Sequence, residues 1–127
     1  MTRILLIGFA GALGTVMRYL IGVWAGRALG TEFPYGTILV NVVGCFLMAA
    51  ITHVALSTEH ISPTLRLALT TGFMGGLTTY SSFNQETLQL FHSRAWSSAM
   101  LNFGVTVAAC VLAGFLGLAL ARRLVGA

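Results

Sequence analysis

Residues 72–84 read GFMGGLTTYSSFN. Gly72, Gly75 and Gly76 are followed by the hydroxyls of Thr78, Thr79, Ser81 and Ser82, within a segment that is otherwise apolar. In an unbroken helix the interior backbone carbonyls are used internally, so a glycine-rich interruption frees some of them. A bilayer tolerates freed carbonyls only where protein or water covers them. Tyr80 and Phe83, three residues apart, project their rings from one face. The stretch reads either as a kinked packing helix with back-bonded Ser and Thr or as the lining of a protected route. Freed carbonyls are hard oxygen ligands suited to a small cation. Hydroxyls and electropositive ring edges suit an anion.

The chain around this stretch is built for lipid. Of 127 residues, 57% are hydrophobic and only 8% are charged, against about 25% charged in soluble domains. Residues 33–58, 67–85 and 95–121 contain no Asp, Glu, Lys or Arg. A spanning helix needs roughly 20 mostly apolar residues, so three spans follow. A fourth runs near Ile4–Leu29, interrupted by Arg18, and is read as a span and not as a cleaved leader. The four expected helices are about Ile4–Leu29, Tyr35–Leu56, Thr64–His92 and Trp96–Val125, the third broken, in one domain spanning residues 1–127. Pro63 suits the start of the third helix.

The formal charge of +4 comes from seven arginines. They are scattered, apart from Arg122 and Arg123, so lipid headgroups and not nucleic acid are the expected contacts. Four spans would place both termini beside the loop at residues 57–63. Arg3, Arg122, Arg123 and Arg66 then oppose Arg27 and Arg94. That bias is thin for the positive-inside rule. Insertion in one orientation and insertion in both remain open. Four helices fill their own centre with side chains, so a transport role predicts oligomerisation. Gly8, Gly11 and Gly14 lie near one stripe of the first helix and offer a close-packing surface.

Polar residues at membrane depth usually face protein or a cavity. Asn41, with Thr37 four residues earlier on the same face, either bonds between helices or lines a pathway. Arg18 either snorkels or anchors carbonyls or a carboxylate at a helix break. Glu86 is read as solvated in a vestibule and not as a proton or cation site. Cys45 and Cys110 are read as small buried hydrophobes. His53, His60 and His92 lack metal-ligand spacing. No nucleophile–base pair, carboxylate pair or phosphate loop stands out, so no enzymatic activity is expected.

The stretches GALGTVMR at residues 11–18, GTILVN at 36–41 and TTGFMGGLTTYSSF at 70–83 resemble the Fluc fluoride channels, also called CrcB, of microbial membranes. The resemblance implies an all-α integral membrane protein with four transmembrane helices per subunit, the third broken. It implies a homodimer of two oppositely oriented subunits in the plasma membrane. Two fluoride pathways would then follow the subunit interface. Asn41 would donate to fluoride, Tyr80 and Phe83 would line the route with ring edges, and Thr37, Ser81 and Ser82 would form the polar track beside them. One sodium ion would sit at the dimer centre, held by the backbone carbonyls of Gly75 and Thr78. Arg18 matches the arginine of the family's first helix. The chain departs from the family pattern at Tyr80, where Phe is usual, at Asn84, and at Cys110 and Gly114, where hydroxyls are common. The implied function is passive export of fluoride from the cytoplasm, relieving its toxicity. The rival is a small proton-coupled multidrug transporter of dual topology, which needs a carboxylate in the first helix; none is present. A third reading is a non-transporting subunit of a larger assembly.

Overall fold

The computed structural model describes residues 1–125. Helix α1 (Thr2–Leu29) leads through a short turn to α2 (Tyr35–Ser57). Ser62 then caps α3 (Pro63–Leu67), its hydroxyl accepting from the Leu65 N–H, with Pro63 at the first turn. A π-helical stretch, Ala68–Met74, and a single turn α4 (Gly75–Leu77) continue the same rod. After two extended residues come α5 (Tyr80–His92) and α6 (Trp96–Val125). Among the described residues there is no strand.

Three helices, α1, α2 and α6, are long and apolar enough to cross a membrane. Their outer faces carry Leu5, Phe9, Leu20, Trp24, Leu101, Phe103, Phe115 and Leu116, all exposed. In water so large an apolar surface would be a liability; against acyl chains it is the matched surface. The protein is a multi-pass membrane protein.

Polar side chains and backbone contact hold the interior together. The central cluster is small: Val40, Met74 and Leu77, with Ile21, Leu47, Met48 and Phe73 packed on it. Lipid is as apolar as leucine, so burial alone drives helix association weakly and close approach contributes more. Glycines supply that approach. A Cβ on Gly14 would overlap the Phe73 carbonyl, and one on Gly76 would overlap the Gly11 carbonyl. At Gly72 it would crowd the backbone of Ile7, at 2.8 Å from the carbonyl oxygen. Thus α1 lies directly on the π-helical stretch and α4. The broadest pairing is α2 with α6, where a Cβ on Gly117 would overlap the Phe46 carbonyl. Gly8, expected to share the stripe, meets nothing within 4 Å.

This packing relocates the interruption. The stretch was expected to open at its glycines, yet Gly75 and Gly76 are helical. Thr78 (φ −81°, ψ 155°) and Thr79 (φ −154°, ψ 113°) carry the extended backbone. Gly72 and Gly76 are taken up by contact with α1, and β-branched threonine readily adopts extended dihedrals. The π-helix was not anticipated; Thr70 bonds back to the Arg66 carbonyl at 2.8 Å beside its first turn.

Gly14→Ala should therefore destabilise the protein by about 1–3 kcal/mol through overpacking. Gly8→Ala should be neutral or mildly stabilising, since its site is open. Thermal unfolding in detergent, comparing the two midpoints, checks the contrast.

Candidate functional site

Past Thr78 the helical bond pattern lapses, and side chains take over the polar groups of Thr79. Asn41 projects from the middle of α2 to the break. Its Nδ2 donates to the Thr79 carbonyl at 3.0 Å, and its Oδ1 accepts from the Thr79 N–H at 2.7 Å. One side-chain amide thereby satisfies both polar groups of one peptide residue, and Asn41 and Thr79 are both buried. Thr79 also caps α5: its hydroxyl accepts from the Ser82 N–H at 3.1 Å and donates to Ser82 Oγ at 3.0 Å. Ser81 Oγ lies 3.1 Å from the same hydroxyl. On the other side, Thr78 turns back to Met74, whose carbonyl accepts from its N–H and its hydroxyl.

These substitutions take the helical donors away from two carbonyls. In a continuous helix the Thr79 N–H would bond the Gly75 carbonyl, and the Ser82 N–H would bond the Thr78 carbonyl. Asn41 takes the first donor and the Thr79 hydroxyl takes the second. Of the two carbonyls between them, that of Gly76 accepts from Arg18 Nε at 3.0 Å across the α1 interface. So Arg18 carries its charge to a peptide oxygen at the break.

Tyr80 and Phe83 meet edge to face, ring centroids 5.6 Å apart and planes at 63°. Phe83 is 4% exposed and Tyr80 is 77% exposed, so the pair runs from the interior to the surface of the chain. Phe103 of α6 flanks Phe83 at 6.1 Å. Asn41, Tyr80 and Phe83, with Thr79 and Thr106, line one cavity of about 270 Å³. Thr37 and Ser82 line a second cavity of about 270 Å³, with Arg18 and Tyr19. The two cavities share Thr79. Ser81 is exposed and lines neither.

Glu86, expected in a vestibule, is half-buried and lines two cavities. Its Oε1 accepts from the Thr37 hydroxyl at 2.6 Å. Its Oε2 is buried and meets no hydrogen-bond donor among the described residues. The start of α2 packs against α5 and shields it, although a cavity of about 400 Å³ under Thr31, Glu32 and Pro34 reaches the same side chain. A second buried chain went unread in the sequence. Asn102 Nδ2 donates to Thr87 Oγ1 at 2.8 Å, the Thr87 hydroxyl donates to the Phe83 carbonyl at 2.7 Å, and the Thr106 hydroxyl donates to Asn102 Oδ1 at 3.3 Å. This chain ties the turn that carries Phe83 to α6. Asn102 and Thr106, four residues apart within an apolar helix, were the available signal.

The site and the fold around it define a family. Residues 5–118 match the profile of the family described as CrcB-like protein, Camphor Resistance (CrcB), and the chain belongs to it. It is 51% identical over 125 residues to a fluoride-specific ion channel FluC of Sorangium cellulosum (strain So ce56), covering 98% of both chains. It is 48% identical over 126 residues to a protein of the same name from Anaeromyxobacter sp. (strain K), covering 99% of this chain and all of the relative. The protein so named in Geobacter sulfurreducens is 44% identical over 124 residues, covering 98% and 100% respectively.

Asn41→Leu should strand the Thr79 N–H and carbonyl in the interior, each at about 1–3 kcal/mol. Asn41→Gln, whose amide is displaced by a methylene, should recover little of it. A lower unfolding midpoint and faster proteolysis near residues 78–79 are the expected readouts.

Proposed function

We propose that the chain is one subunit of a fluoride channel, working as an antiparallel homodimer in the plasma membrane and exporting fluoride passively from the cytoplasm. The observation that carries the reading is the gathering of Asn41, Tyr80 and Phe83 around one cavity beside the Thr78–Thr79 interruption. Its support is near-full-length identity to channels named for fluoride. On this reading the segment from α3 to α5 is a single broken crossing, which brings the crossings to four.

Fluoride accepts hydrogen bonds and donates none, and it is strongly hydrated. A filter has to replace its water with donors. Asn41 uses one Nδ2 hydrogen on Thr79; the amide has a second, and in this reading it points its dipole at the anion. The rim of Phe83 and the Tyr80 hydroxyl supply positive edges without a fixed cation that would trap the ion. Larger halides gain less from close donors. Fluoride enters cells as the neutral acid and dissociates inside. An inside-negative potential then drives the anion out at about 2.3 kcal/mol per 100 mV. No energy coupling is required.

A single subunit leaves the route incomplete. Tyr80 stands open on its surface, and the cavity it lines needs a second wall. A two-fold partner supplies that wall. The same symmetry doubles the freed carbonyls. Gly75 and Thr78 offer two hard oxygen ligands per subunit, too few for a cation alone. Facing pairs make four, a fit for one sodium ion at the dimer centre. Bound there, sodium would lock the two interruptions together electrostatically. Within each chain, Asn41 holds the Thr78–Thr79 peptide through its N–H, and Arg18 holds the neighbouring Gly76 carbonyl.

Vesicles reconstituted with the protein should release fluoride, read by a fluoride electrode, and retain chloride. No release, or equal release of both, would refute the assignment. Phe83→Ile should slow release at least about tenfold, equivalent to 1.4 kcal/mol of barrier; full flux removes that ring from the route. Replacing sodium by a large organic cation should lower dimer stability, by about 2.7 kcal/mol where sodium stands at 100 times its Kd. A sodium-independent dimer, measured by size-exclusion chromatography in detergent after heating, rejects the central ion.

A further inference from the structure

Two cysteines lie outside the roles above. Cys45 on α2 and Cys110 on α6 are both free thiols, half-buried, on paired helices and lining the same cavities. They meet in the broadest helix pairing of the subunit. Both line the cavity of about 270 Å³ that holds Asn41, Tyr80 and Phe83. Both also line a larger groove of about 690 Å³ running along α2 and α6 past Gly44, Met48 and Gly114. The thiols thus form the wall between an apolar groove and the proposed conduction cavity.

We propose that Cys45 and Cys110 form a two-thiol site for a soft divalent cation that accepts linear coordination, the chemistry of Hg(II). Each S–H bond breaks, each sulfur forms one bond to the metal, and two protons leave to water; nothing is oxidised or reduced. Charge selects the ion. Two thiolates and a dication give a neutral adduct, which lipid-depth surroundings accept. A monovalent soft cation would leave a net negative charge there, at a high desolvation cost. Coordination number selects further. Structural zinc takes four ligands, and among the described residues no group of three or more His, Cys, Asp or Glu could hold a metal. Thiolate ligands exclude hard cations such as magnesium or calcium. On the proposed function, a heavy atom bridging α2 and α6 in this wall obstructs the fluoride route.

Mercuric chloride, a small neutral salt, is the probe, with the full chain reconstituted in vesicles and excess 2-mercaptoethanol as a competing monothiol. Intact-mass measurement should find one mercury per chain. Cys45→Ser and Cys110→Ser should each weaken retention about 100-fold, the usual gain of a second tethered ligand. Cys45→Ala serves where a serine variant fails to fold. Two mercury atoms per chain, or single variants that retain the metal as tightly, overturn the proposal. In the efflux assay mercury should stop fluoride release, dithiothreitol should restore it, and the double serine variant should be insensitive. Mercury held at one per chain with unchanged efflux removes the pair from the conduction wall. Absence of efflux before any metal is added defeats the proposed function instead, and the mass readout then judges the chelate alone.

Discussion

The structure depends on one pairing: the Asn41 amide with both polar groups of Thr79. A membrane helix can be interrupted only if the peptide groups it abandons find other partners. Here α2 brings a side chain that imitates a peptide and closes the gap from the side. Because Asn41 takes the Thr79 N–H, the Gly75 carbonyl loses its helical donor. Because the Thr79 hydroxyl caps α5, the Thr78 carbonyl loses its own. The positions of the free oxygens follow from two side chains, and no strained backbone is needed: Thr78 and Thr79 both sit in ordinary extended geometry.

Around that pairing, each neighbouring element restrains one group. Arg18 on α1 holds the Gly76 carbonyl. Thr37 on α2 holds one oxygen of Glu86. Asn102 on α6, through Thr87, holds the carbonyl of Phe83. The interior therefore resembles a polar frame with a thin apolar cluster at Val40, Met74 and Leu77. This is the arrangement expected where the surrounding solvent gives no strong push toward burial.

Much of this was readable from residues alone. The charge-free runs at 33–58 and 95–121 correspond to α2 and α6. The GFMGGLTTYSSFN stretch, the most unusual for a span, is where the helical pattern gives way. The point of interruption was less readable, because glycine has two uses: freeing backbone and admitting a neighbour. Gly72 and Gly76 serve the second, which only the position of α1 decides. The π-helical register at Ala68–Met74 has no sequence period of its own. The Thr37–Glu86 contact and the Cys45–Cys110 pair join residues far apart in the chain, so no local pattern encodes them.

The bond from Arg18 to Gly76 crosses 58 positions of sequence. A guanidinium placed within an apolar helix has no good acceptor in its own helix, whose interior carbonyls are already engaged. During synthesis the first helix therefore emerges with a cation whose eventual oxygen has not yet been translated. Until the GFMGG residues arrive, that guanidinium either snorkels to the headgroups or carries its desolvation cost unmatched. The contact thus couples the two ends of a long stretch of chain: the Arg18 charge gains its oxygen only once both are in place.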